Sequence, residues 1–346
     1  MKNNQLTLMS RPLGQPKEGN FLVESTNIAP LKEGEVLVKN LYLSIDPAMR
    51  SWMNEGKSYL NPIAIGSVMR AMGTGLVIDS KMPDFSAGDM ISTDLGVQEY
   101  AKLFDKDIPH ARRDIGPYRY KFTDKTLPLH TSLSALGIPG MTAYFGMLAV
   151  GKIQRGETVV ISGAAGGVGT LAGQIAKVHG CKVIGITSSD DKCQSLVNNF
   201  HFDCAINYKM PNWKEQLLAI SPEGIHLFFD NVGGEVLNTM LGCIAKGGRI
   251  ILSGAASQYN NMAFMRGPVN YLSLIVNRAK MEGFVNMDFV EQFDEARTTI
   301  TNWIHQGQLN AENHVVKGGV DDFLTVLTDM FAGKNTGKMI MELATI

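Results

Sequence analysis

The stretch Thr158-Val-Val-Ile-Ser-Gly-Ala-Ala-Gly-Gly-Val-Gly169 joins a short β-branched run to a glycine-rich turn. Residues at helical spacing follow: Val168, Leu171, Ala172, Ile175, Ala176 and His179. A strand, a tight turn and a helix in this order form the context in which a dinucleotide pyrophosphate binds at a helix N-terminus. Gly166 lets the backbone approach a pyrophosphate, and Gly169 lets the helix pack closely on the strand. Ala164 occupies the first glycine position of G-x-G-x-x-G, so a glycine turn without a ligand is the competing interpretation.

Strand-like and helix-like segments alternate around this motif, in the part of the chain that follows Pro128. Further short apolar runs that predict strands lie at 183–186, 204–206, 227–229 and 249–252. Continuous apolar strands that alternate with helices are typical of a parallel sheet covered on both faces. The sequence therefore predicts an α/β fold with a doubly wound parallel sheet of the Rossmann type.

The residues before Pro128 have a different pattern, with short strands between clusters of Gly, Pro and Asp. Segments 36–45 and 73–78 are examples, and this pattern predicts a small barrel or sandwich. Segment 337–343 reads as a lone strand that returns to this part. We therefore predict a mostly β domain over 1–128, completed by 313–346, and a nucleotide-binding domain over 129–312.

Composition limits the classes of partner and the compartment. The chain has 346 residues and a formal net charge of -1, which provides no overall field for nucleic acid or an anionic membrane. Its 4 cysteines contain no C-x-x-C pair, which favours free thiols in a reducing compartment. The N-terminus shows no apolar run like that of a signal peptide. We expect a cytoplasmic protein that binds small molecules.

The residues after the second predicted strand bear on the choice between NAD and NADP. NAD sites place an acidic residue at this strand end, but here the strand ends in Thr187-Ser-Ser189. Asp190 and Asp191 come later and are predicted to start the next helix. Lys192 is placed to meet a 2′-phosphate, with hydroxyls from Thr187 and Ser188 as further hydrogen-bonding groups. The sequence favours NADP, and the competing interpretation of Lys192 is a solvated helix lysine.

Five separated motifs occur in the order of a known family: Tyr42-Leu-Ser-Ile-Asp-Pro-Ala-Met-Arg50, Gly140-Met-Thr-Ala-Tyr144, Ser162-Gly-Ala-Ala-Gly-Gly-Val-Gly169, Phe229-Asp-Asn-Val-Gly-Gly234 and Gly333-Lys-Asn-Thr-Gly-Lys338. With them the chain resembles the zinc-free medium-chain dehydrogenases/reductases, in the group of prostaglandin reductase, leukotriene B4 12-hydroxydehydrogenase and NADPH-dependent curcumin reductase. The resemblance implies a GroES-like barrel for the β domain, NADPH as the cofactor and a homodimer joined at the cofactor domain.

The same resemblance implies roles for matching positions. The glycine turn, Lys192 and Tyr208 would hold the phosphates and adenosine, and segment 253–259 would line the nicotinamide side. Segment 284–286 and Asn335 would close over the cofactor. The expected cofactor-binding residues are Ala165, Gly166, Gly167, Val168, Gly169, Ser188, Lys192, Tyr208, Asn231, Ser253, Gly254, Ala255, Phe284, Val285, Asn286 and Asn335.

Two places depart from the family pattern. Some relatives carry a tyrosine where this chain has Val276, and Tyr271 is the nearest tyrosine. The stretch Arg112–Lys121, with Tyr118 and Tyr120, has no counterpart in the family pattern.

The sequence predicts no metal site. A zinc dehydrogenase needs Cys and His ligands, yet no Cys precedes Cys181. Arg70-Ala-Met72 stands where Gly-His-Glu would fall, and the seven histidines show no ligand spacing. Without a Lewis acid an alcohol is difficult to oxidise, whereas an electrophilic C=C bond is easier to reduce.

The expected reaction is therefore zinc-independent hydride transfer from NADPH to the C=C bond of α,β-unsaturated ketones or aldehydes, such as alkenals or 15-oxoprostaglandin-like enones. Tyr259 is the predicted catalytic residue, because it lies just past the fifth strand and could donate to the developing enolate. The cofactor ribose hydroxyl could share that task, and a simple wall residue is the alternative for Tyr259. An NADPH:quinone reductase and a non-catalytic NADPH-binding protein, such as a redox sensor or RNA binder, remain alternative functions.

Overall fold

The computed structural model describes residues 1–56, 58–104 and 120–344. The chain forms two compact units. The first contains Met1–Leu133, Asn313–Lys334 and Met339–Ile346, and the second contains Ser134–Glu312 and Asn335–Lys338. Residues 112–119 of the unmatched stretch lie outside the described residues.

The strands are numbered along the chain. They are β1 (Lys2–Leu8), β2 (Phe21–Asn27), β3 (Glu35–Ser44), β4 (Ser67–Val68), β5 (Met72–Ser80), β6 (Met90–Asp94), β7 (Tyr100–Phe104), β8 (Tyr120–Lys121), β9 (Thr158–Ser162), β10 (Lys182–Thr187), β11 (Cys204–Asn207), β12 (Ile225–Asp230), β13 (Ile244–Leu252), β14 (Lys280–Gly283), β15 (Asn313–Lys317) and β16 (Lys338–Glu342).

The helices are numbered in the same way. They are α1 (Ala48–Trp52), α2 (Ile138–Phe145), α3 (Gly167–Val178), α4 (Asp190–Phe200), α5 (Trp213–Ile220), α6 (Gly234–Cys243), α7 (Ser273–Asn277), α8 (Phe293–His305) and α9 (Phe323–Phe331). None of those within the described ranges combines the length and apolar character that a membrane crossing requires.

The first unit is mostly β. One sheet has the strand order β2-β1-β4, and a larger one follows the path β15-β16-β3-β5-β6-β8, with β7 paired to β3. Strand β16 runs antiparallel to β3, with Ile340 opposite Ser44. A buried core between these strands contains Val36, Val38, Val77, Met82, Phe85, Ile91, Leu95, Ala101 and Leu103.

The second unit is built on a six-stranded sheet with the order β11-β10-β9-β12-β13-β14, and all neighbouring strands run parallel. Numbered within the unit, this order is 3-2-1-4-5-6, so the winding direction reverses beside β9. The crevice at such a reversal, beyond the carboxyl ends of the strands, is where open α/β sheets bind ligands. The predicted fold class, a doubly wound parallel sheet with a separate mostly β domain, is confirmed.

The strands of this sheet are buried on both faces because α-helices cover them. The residues of β9 from Val159 to Ser162 are fully buried, and so are Phe228 and Phe229 of β12. Helices α5 and α6 pack on the sheet through Trp213, Leu217, Val236, Leu237, Met240 and Leu241. Continuous burial explains why these strands read as unbroken apolar runs in the sequence.

Candidate functional site

The glycine-rich turn leads from the buried Ser162 of β9 directly into α3. Gly163 has a φ of 56°, and the N–H of Gly166 donates to its carbonyl oxygen at 2.9 Å. A Cβ on Gly169 would lie 2.4 Å from that oxygen and 2.7 Å from Cα of Ala164. Both atoms belong to the backbone, so only glycine permits this approach of helix and strand.

The beginning of α3 is suited to an anion. Its N-cap is Gly166, which has no side chain to accept from the first N–H groups, and its first turn holds no acidic residue. The helix dipole adds partial positive charge at the same place. This end of α3 therefore offers backbone donors of the kind that a pyrophosphate uses.

Residues Asn335–Lys338 lie against the same turn. The N–H of Gly337 donates to the carbonyl oxygen of Ala165 at 2.8 Å, and Gly166 and Gly337 form a parallel β-bridge. Asn335 is buried, and its Nδ2 donates to the carbonyl oxygen of Gly337 at 2.7 Å. The segment therefore fixes the outer side of the turn and brings Asn335 beside it.

Lys338 is a neighbour of the turn that the sequence analysis did not single out. It is 4% exposed, and its stem would meet a Cβ on Gly167 at 2.8–3.2 Å. Its place in the motif 333–338, directly after a glycine, is the signal that could have drawn attention to it.

The loops after β10 and β11 bring two lysines together. Ser189 caps α4, and its Oγ accepts from the N–H of Lys192 at 3.4 Å. Burial lowers the pKa of the half-buried Lys192, and the positive charge of Lys209 lowers it further. Lys209 was missed in the sequence because it lies on the neighbouring strand end, although it follows Tyr208 directly.

Asp190, one of the two acidic residues that precede Lys192, has another role. Oδ1 of Asp190 accepts from Nδ2 of Asn207 at 2.9 Å, and Oδ1 of Asn207 accepts from the N–H of Lys209 at 3.1 Å. Within the described ranges, no carboxylate lies within ion-pair distance of Lys192 or Lys209. Two cations without an acidic partner fit a dianionic phosphate better than a ribose hydroxyl.

On the other side of the crevice, Asn231 follows β12. Its N–H donates to Oγ of Ser162 at 2.8 Å, and its Nδ2 donates to the carbonyl oxygen of Ser162, also at 2.8 Å. These bonds tie the loop after β12 to the end of β9 and hold Asn231 at the reversal of the sheet.

The three expected residues after β14 have different surroundings. The ring of Phe284 meets Phe229 edge to face at 6.4 Å, and Val285 is half-buried. Asn286 is buried, and its Nδ2 donates to the carbonyl oxygen of Ile138 and to Oγ1 of Thr142 in α2. Its amide nitrogen thus links the segment after β14 to α2.

Tyr259 lies in the loop after β13 and folds back on that loop. Its Oη accepts from the N–H of Ala255 at 3.1 Å and would lie 3.2 Å from a Cβ on Gly254. Burial raises the pKa of Tyr259, the Ala255 N–H lowers it, and the charge of Asp230 raises it again. The phenol is therefore protonated at neutral pH, and its proton has no acceptor in the part of the chain that the structure describes. Tyr259 is poised to donate one hydrogen bond.

Tyr271, the other tyrosine considered, lies on the surface. Its side chain is 56% exposed, and Val276 is also exposed. Asn260, next to Tyr259, has a buried Oδ1 without a hydrogen-bond partner. Of the two tyrosines, only Tyr259 lies among the residues around the carboxyl ends of β12 and β13.

Comparisons with known proteins place this chain. A family model described as the N-terminal domain of oxidoreductase matches residues 4–109, and one described as zinc-binding dehydrogenase matches residues 167–302. The NADPH-dependent curcumin reductase of Escherichia coli is 31% identical, over 99% of this chain and 97% of the relative. Prostaglandin reductase 1 of Mus musculus is 36% identical, over 97% and 98%. The crystal structure of CurA from Vibrio vulnificus in complex with NADPH is 33% identical, covers 99% of this chain and 100% of that one, and has a TM-score of 0.90.

The chain belongs to the medium-chain dehydrogenase/reductase family. Both halves of the chain match, in the expected order, and the relatives are covered almost completely. The resemblance drawn from five sequence motifs is confirmed.

One of the matching family models is described as zinc-binding, so the described residues were compared with the ligand sets that zinc requires. Among residues 1–56, 58–104 and 120–344, no group of three His, Cys, Asp or Glu side chains could hold a metal ion. At the position expected for Gly-His-Glu, Arg70 lies over the ring of Trp52 at 5.7 Å and within 4.0 Å of Asp94. These side chains form a cationic and aromatic cluster, which does not suit zinc.

Proposed function

We propose that this protein is an NADPH-dependent reductase that transfers hydride to the C=C bond of α,β-unsaturated ketones and aldehydes without a metal ion. The observation that carries the proposal is the protonated, donor-competent Tyr259 beside the reversal of the sheet. Relatives named NADPH-dependent curcumin reductase, 2-alkenal reductase (NADP(+)-dependent) of Nicotiana tabacum and prostaglandin reductase 1 support it, at 31–36% identity.

The residues present fit NADPH at both ends of the crevice. The turn at Gly166 and Gly169 would hold the pyrophosphate at the beginning of α3, and Lys192 and Lys209 would hold the 2′-phosphate. Of the remaining expected residues, Asn231 follows β12, Ser253–Ala255 follow β13, Phe284–Asn286 follow β14, and Asn335 lies beside the glycine-rich turn. A bound NADPH would supply the hydride.

Tyr259 would donate a hydrogen bond to the carbonyl oxygen of the substrate. As hydride reaches the β-carbon, negative charge develops on the carbonyl oxygen of the substrate. A fixed phenol O–H directed at that oxygen stabilises the charge without reorganisation. The Ala255 N–H polarises the phenol and keeps its oxygen in place, so the O–H is both oriented and a stronger donor.

A first experiment tests the reaction itself. NADPH oxidation would be followed optically with enones, enals and quinones, each with and without a chelator. We expect turnover of enones and enals to exceed that of quinones and to survive chelation, since no residue of the mechanism is a metal ligand. Preferred quinone turnover would indicate a quinone reductase, and NADPH binding without any turnover would indicate a non-catalytic protein.

A second experiment tests the choice of cofactor. Loss of a charge-assisted contact costs about 1.5–3 kcal/mol, which corresponds to about a tenfold to hundredfold loss of affinity. Lys192→Ala should therefore weaken NADPH binding by that factor and leave NADH binding nearly unchanged, as measured by calorimetry. Lys214→Ala is the matched control, because Lys214 is an exposed lysine that pairs with Glu235. Equal losses for both cofactors would contradict the assignment.

A third experiment tests Tyr259. Tyr259→Phe keeps the ring and removes only the donor, so kcat for the best enone should fall about tenfold to hundredfold while NADPH affinity stays the same. This is less than the about 10²–10³ that a single donor can contribute, because a ribose hydroxyl could donate as well. The exposed Tyr271→Phe is the control. A rise in KM with unchanged kcat would indicate uniform binding and would remove Tyr259 from the catalytic role.

We also propose a homodimer formed through the second unit. Strand β14 is the last strand of its sheet, and the neighbouring segment presents side chains that are all more than half exposed: Val269, Tyr271, Leu272, Ile275 and Val276. An apolar patch beside a sheet edge is typical of a protein interface. Antiparallel pairing of two β14 strands about Met281 would set Lys280 opposite Glu282 of the other copy, which favours a second copy as the partner.

The dimer has its own test. Ile275→Asp places a charge in the centre of the apolar patch and should convert the dimer to a monomer in sedimentation velocity. Leu22→Asp, at an exposed position of β2, should leave the oligomeric state unchanged. A wild-type protein that is monomeric at micromolar concentration would contradict this proposal.

The cytoplasm is the compartment we propose. The four cysteines are free, and burial raises the pKa of Cys181 and of Cys193 to about 11, which makes their thiols unreactive. Small electrophiles are the proposed partners, and the near-neutral net charge of -1 favours neither nucleic acid nor a membrane surface.

A further inference from the structure

Asp230, the last residue of β12, is a fully buried carboxylate. Oδ1 accepts from Oγ of Ser162 at 2.6 Å, from the N–H of Val232 at 3.0 Å and from the N–H of Gly233 at 3.0 Å. Oδ2 accepts from the same Gly233 N–H at 3.1 Å. Throughout the described part of the chain, no cation pairs with it. A buried, unpaired carboxylate is costly, so its retention calls for a reason beyond packing.

The backbone of Asp230 organises the next loop. Its carbonyl oxygen accepts from the N–H of Ser253 at 2.9 Å and from the N–H of Gly254 at 3.1 Å. The next N–H along the chain, that of Ala255, donates to Oη of Tyr259. Three consecutive amides are thus divided between Asp230 and Tyr259, which fixes the phenol relative to the end of β12.

The two loops are also joined to each other. The N–H groups of Ala256 and Ser257 donate to the carbonyl oxygens of Asn231 and Val232, each at 3.1 Å. Oγ of Ser257 donates to the carbonyl oxygen of Val232 at 2.6 Å. A displacement of the loop that Asp230 holds would therefore move the loop that carries Tyr259.

We propose that Asp230 is the positioning residue for Tyr259: the hydrogen bonds of its side chain and of its carbonyl oxygen fix the two loops that hold the phenol in place. The role of Tyr259 rests on the proposed function. Asp230 touches neither substrate nor reacting atoms in this account, and it acts only through the tyrosine. Burial is the main cause that raises the pKa of Tyr259, and the negative charge of Asp230 raises it further, so Asp230 also opposes loss of the phenol proton at alkaline pH.

The test is a double-mutant cycle with Asp230→Asn and Tyr259→Phe. If Asp230 acts through Tyr259, Asp230→Asn should lower kcat for an enone about tenfold in the wild-type background, and less than about twofold in the Tyr259→Phe background. The alkaline limb of the kcat profile should move to lower pH in Asp230→Asn, because loss of the negative charge lowers the pKa of Tyr259. Equal losses of kcat in both backgrounds would show a merely structural role and overturn the proposal.

An optical titration gives a second readout that needs no turnover. The tyrosinate absorbance of each protein minus that of its Tyr259→Phe partner isolates one phenol among the 9 tyrosines. This difference should titrate at lower pH in the Asp230→Asn pair than in the wild-type pair, and an unchanged midpoint would overturn the proposal. Because the titration is independent of substrate, a wild-type protein without enone turnover would contradict the proposed function alone.

Ser162→Ala keeps the experiment decisive if Asp230→Asn does not fold. This variant removes the 2.6 Å hydrogen bond to Asp230 and retains the charge. It also removes the acceptor of the Asn231 N–H, so NADPH affinity is measured alongside kcat, and kcat is compared at saturating NADPH. We expect a smaller loss of kcat that disappears in the Tyr259→Phe background, with the tyrosinate midpoint unchanged. A loss that persists in that background would count against a role through Tyr259.

Discussion

The approach of α3 to the end of β9 is the constraint on which the rest of the second unit depends. Gly169 lies so close to the carbonyl oxygen of Gly163 that a Cβ would overlap it at 2.4 Å. This contact sets the beginning of the helix directly beyond the central strand, where the sheet reverses its winding. The backbone donors at the beginning of α3, the loop after β12 and the segment Asn335–Lys338 are all arranged around that point.

Charge is distributed unevenly around the crevice, and the distribution suits the proposed reaction. Lys192 and Lys209 have no acidic partner within the described ranges at one end, which suits an anionic phosphate. At the other end is the buried Asp230, whose negative charge raises the pKa of Tyr259 and so opposes loss of its proton. A neutral phenol is a donor, and a tyrosinate would repel a developing enolate. In the proposed reaction, Tyr259 would therefore supply the hydrogen bond that stabilises the enolate.

Local patterns were sufficient to predict the fold. The strand, glycine turn and helix at 158–178 are encoded within one short continuous stretch of the chain. Buried parallel strands can be recognised in the sequence as apolar runs. The predicted class was therefore right. Local patterns do not predict contacts between distant segments. The proximity of Lys209 to Lys192, for example, depends on the pairing of β10 with β11. Asp230 lies within one of the family motifs, but its role depends on the fold, because the groups that donate to it come from the ends of β9 and β13. The inward direction of Asn286 likewise depends on its packing against α2.

The carbon atom that receives the hydride distinguishes reduction of the C=C bond from reduction of the C=O bond. NADPH deuterated at the transferring position of the nicotinamide would be incubated with the protein and a simple enone, and the product would be analysed by NMR. We predict a saturated ketone with deuterium on the β-carbon and a solvent proton on the α-carbon. Deuterium on the former carbonyl carbon, in an allylic alcohol, would contradict C=C reduction, because it would show that the protein reduces C=O instead.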